Sequence, residues 1–151
     1  MYFVRVTKLK RDLAADGWNG SFPYFIAYFM LDALVVATWG MYSFQEELAL
    51  LDGIEAGLYF AVVVGGTVAA YYSNGGRAGR AFLDRYFALA WVLGVRFLVI
   101  LIPIVLGLGY VAWQVEDYPE ETMWPEVVAY ILVMCLYYWR LNVHIHDVSR
   151  A

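Results

Sequence analysis

The stretch YFALAWVLGVRFLVILIPIVLGLGYVAW, residues 86–113, decides the fold of this chain. It contains a single charged residue, Arg96, in 28 positions. An α-helix rises about 1.5 Å per residue and the hydrocarbon core of a bilayer is about 30 Å thick, so about 20 apolar residues are enough to cross it. Residues 86–113 are therefore predicted to form a transmembrane helix.

Three further segments meet the same criterion of length and apolar character. They are residues 22–41, which are interrupted by Asp32, residues 56–72, which carry no charge, and residues 124–143, which contain Arg140 near their end. The whole chain of 151 residues is 63% hydrophobic, whereas soluble domains are about 45–50% apolar. We therefore predict an all-α integral membrane protein, a four-transmembrane-helix bundle in a single membrane domain with a short N-terminal interfacial helix.

The sign of the charge alternates between the segments that flank these helices. The N-terminal segment, the second connection and the C-terminal segment hold the basic residues Arg5, Lys8, Lys10, Arg11, Arg77, Arg80, Arg85, Arg140 and Arg150. The first and third connections contain no Lys or Arg, and they hold Glu46, Glu47, Asp52, Glu55, Glu116, Asp117, Glu120, Glu121 and Glu126. Because Lys and Arg in short loops stay on the cytoplasmic side, we predict cytoplasmic N- and C-termini, in a bacterial inner (plasma) membrane.

The N-terminal segment, residues 1–20, has the pattern of an amphipathic helix. Its apolar residues Tyr2, Val6, Leu9 and Leu13 recur at spacings of three and four, while its charges fall largely elsewhere. We predict a helix on the cytoplasmic membrane surface, where its basic residues attract anionic lipids. A helix that binds a partner protein would show the same pattern. Residues 144–151 are predicted to form a cytoplasmic tail.

Asp32 and Arg96 are the charges that the membrane should most disfavour, since a charge at the bilayer centre costs about 2.5–3.5 kcal/mol. Each lies ten residues after the predicted cytoplasmic start of its helix, so the two match in depth. We predict an intramembrane ion pair between them and favour a structural role, in which the pair fixes which helices are neighbours. The alternatives are a proton or cation site at Asp32 that Arg96 tunes, and an Arg96 that faces an anionic lipid or substrate.

Small residues in the second predicted transmembrane helix follow a regular spacing. Ala61, Gly65 and Ala69 recur every four residues, with Gly66 and Ala70 beside them. Small residues at this spacing let helix backbones approach closely in lipid, where packing drives association. The spacing predicts a helix–helix contact, either within one chain or between copies of it.

The second connection, residues 73–85, is rich in glycine and arginine. Guanidinium groups and exposed backbone N–H groups both suit phosphate oxygens, so Arg77, Arg80 and Arg85 are candidates for contact with anionic lipid or phosphate. The stretch lacks the GK[ST] ending of a Walker A loop and the GxGxxG spacing of a dinucleotide-binding loop. The interpretation we favour is a turn whose charges set the topology.

Few residues in the chain are placed to do chemistry. His144, His146 and Asp147 are weak metal candidates, because residues two apart on a helix point to different sides and the set leaves a zinc site one ligand short. We predict no metal, no cofactor and no catalytic residue. The single cysteine, Cys135, excludes an internal disulfide. A net charge of −4 gives little support for a nucleic-acid partner.

With so little chain predicted outside the bilayer, function must reside in the helix faces, in an oligomer or in the short charged loops. We expect a non-enzymatic accessory or scaffold subunit that associates with itself or joins a larger membrane complex. The alternative is a small oligomeric transporter or channel subunit, in which several copies build a pathway lined by Asp32 and Arg96. The number of copies in the complex distinguishes these two hypotheses.

Overall fold

All regular secondary structure is helical in the part of the chain that the computed structural model describes. This part comprises residues 6–14, 20–43, 50–114 and 124–151, with the side chains of all but residues 32, 35–43, 108, 109 and 111–113. One 3-10 turn, Gly76–Ala78, lies between the third and fourth helices. The five α-helices are α1 (Val6–Ala14), α2 (Phe22–Ser43), α3 (Leu50–Ser73), α4 (Phe82–Trp113) and α5 (Trp124–Ser149). The predicted all-α class is confirmed.

Three of the described helices are long and apolar enough to cross a membrane. They are Leu50–Ser73, Phe82–Gly107 and Trp124–Ser149, and α2 adds a shorter apolar stretch, Phe22–Leu31. Large apolar side chains cover the outer surfaces of these helices, such as Ile100, which is 62% exposed. Contiguous apolar surface of this kind is costly in water and normal in lipid. The prediction of a membrane protein is confirmed.

The helices are longer than the apolar segments that predicted them. Helix α3 begins at Leu50 rather than at residue 56, and α4 begins at Phe82 rather than at residue 86. Asp52 and Asp84 lie in the first turns of these helices, where a negative charge is favourable because it faces the positive end of the helix dipole. The apolar segments alone therefore place the starts of these two helices several residues too late, because the first turns contain charged residues.

Helix α5 continues through most of the segment predicted as a tail. It ends at Ser149 rather than at residue 143. The added turns are held by packing, because the side chains of Ile145 and Val148 are buried in the hydrophobic core. Burial of large apolar side chains contributes roughly 1.5–3 kcal/mol each, which is enough to keep a polar helix end ordered.

The helices pack in the order α3, α5, α4, α2. Helix α3 makes its most extensive contacts with α5, α5 also packs on α4, and α4 packs on α2. Within the described residues, α3 therefore lies at one margin of the protein. The core is concentrated where α4 begins and α5 ends, around the fully buried side chains of Leu89, Val92, Leu141 and Ile145.

Three basic segments meet at this end of the protein, which we call the basic end: α1, the connection between α3 and α4, and the end of α5. The Ser149 hydroxyl donates a hydrogen bond to the Ser73 carbonyl at 3.1 Å, so α3 and α5 finish side by side. Lys10 Nζ lies 2.6 Å from Asp147 Oδ2, which joins α1 to α5. The charge pattern predicted these segments on one side of a membrane, and the fold brings them together.

Helix α1 is amphipathic, and its apolar face packs on the protein itself. Val6, Leu9 and Leu13 are buried against α4 and α5, while Tyr2 lies outside the described residues. An amphipathic helix satisfies its apolar face equally well on lipid or on neighbouring helices. The Lys10–Asp147 ion pair adds little stability, about 0–1 kcal/mol, because the Asp147 side chain is half exposed.

The contact between α3 and α5 depends on a glycine. The ring of Tyr138 lies directly on Gly66, so that a methyl group added at Gly66 would overlap the ring. One turn further on, Ala70 is fully buried. The Ser73 hydroxyl then donates to Asn142 Oδ1 at 3.2 Å. The two helices therefore approach closely through small residues and are joined by a polar contact at the basic end.

We predict that Gly66→Ala destabilises the protein by about 1–3 kcal/mol, because Tyr138 must leave its position to admit the added methyl group. Gly94→Ala is the matched control, since no other atom lies within 4 Å of its added methyl group. The measurement is the free energy of unfolding of each variant in detergent. Equal stabilities of the two variants would show that the Gly66–Tyr138 contact is not needed.

Candidate functional site

The small residues predicted to make a helix–helix contact face away from the rest of the protein. Ala61, Gly65 and Ala69 are exposed, and no atom outside the helix lies within 4 Å of a methyl group added at Gly65. The contact within the chain uses their neighbours instead, Gly66 and Ala70, which face α5. The predicted surface is therefore present on α3 and is not covered by any described residue of the same chain.

The same spacing continues toward the start of α3. Gly53 and Gly57 are also exposed, with open space around a methyl group added at either position. Together with Ala61, Gly65 and Ala69 they form one line of small residues at every fourth position, which we call the α3 small-residue face. From Gly53 to Ala69 it spans 17 residues, or about 24 Å along the helix, and it winds around α3 by about 40° at each step of four residues. Gly53 lies outside the segment predicted from the sequence, which began at residue 56, whereas Gly57 lies inside that segment and was not included in the predicted contact.

A row of large side chains borders this face on one side. Phe60, Val64, Val68 and Tyr72 recur at the same spacing of four residues and are exposed, with 68% of Phe60 and 71% of Tyr72 accessible. Rows of side chains four residues apart form the ridges by which helices pack into the grooves of their neighbours. Helix α3 thus presents a ridge beside a groove on its outer surface.

Asp32 and Arg96 lie on neighbouring helices, α2 and α4. The rings of Phe25 and Phe29 contact Phe87 at centroid distances of 5.0 and 5.8 Å, which places the first turns of α2 beside those of α4. Phe87 is level with residues 25–29 of α2, so Asp32 lies three to seven residues further on and Arg96 nine, and their depths differ by about 3–9 Å. Because the Asp32 side chain lies outside the described residues, the ion pair stays a prediction.

A double-mutant cycle tests the predicted ion pair. We expect Asp32→Asn and Arg96→Gln each to lower the free energy of unfolding, because each leaves a charge in the membrane without its partner. The double variant should lose less than the sum of the two, with a coupling energy of about 0.5–3 kcal/mol. Strictly additive losses in the cycle, measured by unfolding in detergent, would exclude the pair.

The connection between α3 and α4 is held in a fixed shape by Asn74. This side chain is 2% exposed. Its Nδ2 donates to the Arg80 carbonyl at 3.1 Å, and its Oδ1 accepts a hydrogen bond from Arg85 Nη1 at 2.9 Å. Gly75 has a φ of 98°, a backbone conformation that favours glycine. Gly79 lies so close to the Asn74 backbone and amide that a side chain would not fit there.

This folded connection forms one wall of a cleft at the basic end. The cleft has a volume of about 600 Å³ and is lined by parts of the connection and of the end of α5. Two of the three arginines predicted to contact anions, Arg80 and Arg85, line it together with Arg150, which follows the last residue of α5. Arg77 is exposed and is not among the lining residues. The Asn-Gly pair after an apolar helix predicts a turn at Asn74. The hydrogen bonds by which Asn74 holds Arg80 and Arg85 were not predicted from the sequence.

We predict that Asn74→Ala loosens the connection, because it leaves the Arg80 carbonyl and the Arg85 guanidinium without their partner, at a cost of about 1–3 kcal/mol. Amide hydrogen exchange over residues 75–81 should accelerate, while exchange in the middle of α4 should not change. Arg77→Ala is the control, since Arg77 is an exposed residue of the same connection. If both variants exchange alike, Asn74 does not hold the connection.

The weak metal candidates are not gathered into a group that could hold a metal ion among the residues that the structure describes. His144, His146 and Asp147 lie on a continuous helix, α5, so the two histidines point to different sides. Asp147 is engaged by Lys10. Among the described residues, no group of three or more His, Cys, Asp or Glu side chains is placed to hold a metal ion.

Comparison of the chain with protein-family models, with curated proteins and with solved structures finds no match. The described part of the chain offers two candidate functional surfaces: the α3 small-residue face and the cleft at the basic end.

Proposed function

We propose that this chain is a non-enzymatic scaffold subunit of a membrane, which works by pairing with a second copy of itself through the α3 small-residue face. The observation that carries the proposal is that this face extends along most of α3 and is not covered within the described chain. Among the described helices only α5 packs extensively on α3, so its other side is available to a further helix.

The physical basis is the way in which helices associate in lipid. Apolar area gives no net attraction there, because lipid tails are as apolar as the side chains, and close packing between backbones drives association instead. Small residues every four positions permit that approach. The chain already uses this principle on the other side of the same helix, where Gly66 admits the ring of Tyr138.

A second copy is the partner that fits the shape of the face. In a twofold dimer the same surface lies on both subunits, so the surface must be complementary to itself. The ridge that includes Phe60 and Val64 lies beside the groove of small residues, and a twofold axis sets the ridge of one copy into the groove of the other. Because the row winds around the helix, two crossing α3 helices would meet over its central part, around Ala61 and Gly65.

The proposed topology places the two copies in the same orientation. We propose four membrane crossings, with α2 as the first, because its 22 residues give a length of about 33 Å and its apolar stretch begins at Phe22. The basic segments then lie in the cytoplasm of a bacterial cell and the acidic connections outside the inner membrane. Copies inserted in this way have parallel α3 helices, as a twofold axis along the membrane normal requires.

We predict that Gly65→Leu weakens the dimer at least tenfold, because the larger side chain fills the groove and keeps the backbones apart. The monomer should tolerate the change, since the space around Gly65 is open. Gly107→Leu is the matched control: Gly107 is an exposed glycine of α4 with equally open surroundings. The measurement is the dissociation constant of the dimer, by energy transfer between labelled copies in lipid nanodiscs.

Three results would count against the proposal. If the wild-type protein is monomeric in nanodiscs, the proposed dimer is wrong. A dimer that Gly65→Leu and Gly107→Leu weaken equally would place the interface elsewhere. A closed ring of several copies around Asp32 would favour the transporter or channel alternative.

A further inference from the structure

The cleft at the basic end carries a concentration of positive charge. Its lining includes the arginines Arg80, Arg85 and Arg150, and none of its lining residues is a carboxylate. Asp147, the neighbour of His146 in sequence, is engaged by Lys10 instead. The charge in the cleft is therefore not neutralised by any of the residues that line it.

Arg85, one of the three arginines that line the cleft, is held in place by the protein itself. Arg85 donates from Nη1 to Asn74 Oδ1 at 2.9 Å, and Asn74 is buried. The Nε of Arg85 is buried and has no acceptor among the described residues. A guanidinium group that is oriented by one hydrogen bond and retains unused donors is suited to an oxyanion, because phosphate oxygens accept several N–H groups at once.

The position of the cleft indicates where such an anion would come from. It lies where α3 ends at Ser73, α4 begins at Phe82 and α5 ends at Ser149. The ends of transmembrane helices lie at the level of the lipid headgroups. A cleft of about 600 Å³ is also larger than a phosphate ion needs, so the rest of a headgroup or of a soluble phosphate ester has room.

We infer that this cleft is a binding site for a phosphate group, held by Arg80, Arg85 and Arg150, with an anionic phospholipid headgroup or a soluble phosphate ester as its source. Arg77, the third arginine of the connection, takes no part. The inference does not depend on the proposed dimer, since every residue of the cleft belongs to one chain.

The experiment compares two variants that remove arginine charge from the same end of the protein. Arg80→Gln combined with Arg150→Gln removes two exposed arginines that line the cleft, and Arg77→Gln removes an exposed arginine outside it. No described side chain hydrogen-bonds to these guanidinium groups, so the variants should fold, which circular dichroism checks. The probes are dioleoylphosphatidylglycerol, dioleoylphosphatidylcholine and glycerol 3-phosphate, each titrated into the detergent-solubilised protein and followed by native mass spectrometry.

The expected result is that the wild type and Arg77→Gln bind phosphatidylglycerol alike and more tightly than phosphatidylcholine. The double variant should bind it at least about tenfold more weakly, since charge-assisted hydrogen bonds are lost. If glycerol 3-phosphate binds with the same dependence on the variants, the site stands and its ligand is the soluble ester. An equal loss in Arg77→Gln and the double variant, or no preference for either anionic probe, would overturn the inference.

Discussion

The seating of Tyr138 on Gly66 is the contact on which the rest of the arrangement depends. It fixes how α3 is rotated about its own axis, because the side of the helix that carries Gly66 receives the ring of Tyr138 on α5. The positions one residue earlier, Gly65 and Ala69, are then turned outward. The same two helices end side by side, where the Ser149 hydroxyl donates to the Ser73 carbonyl and the cleft with its arginines lies beside them.

Charged segments determine which end of the protein the helix ends share, whereas small residues determine which helix surfaces can pack closely side by side. The basic segments gather at one end, where the core is densest and where α1 covers α4 and α5. This end combines apolar burial with an ion pair and a hydrogen-bonded connection. The α3 small-residue face runs along the transmembrane helix α3 instead, and it contains neither charged side chains nor side-chain hydrogen-bonding groups. The two surfaces are thus chemically independent, and one chain can use both.

Part of this picture follows from the sequence and part depends on distant contacts. Hydropathy predicts the helices, and the alternation of charge predicts which segments meet. The spacing of Ala61, Gly65 and Ala69 predicts a contact surface, but its direction depends on Tyr138, which lies about 70 residues later in the chain. Asn74 is similar: its residue type predicts a turn, while its bond to Arg85 requires the folded connection. The packing of α1 could not be predicted, because an amphipathic pattern suits lipid and protein equally.

The most direct measurement of the central claim is cross-linking at the α3 small-residue face in native membranes. The test variant carries Ala61→Cys together with Cys135→Ala, which removes the native cysteine. The control variant carries Cys135→Ala with Leu132→Cys, at an exposed position of α5. A disulfide requires Cα atoms within about 7 Å, a separation that two α3 helices in backbone contact provide. The account predicts a cross-linked dimer for Ala61→Cys and none for Leu132→Cys. Equal cross-linking of the two, or none in either, would contradict it.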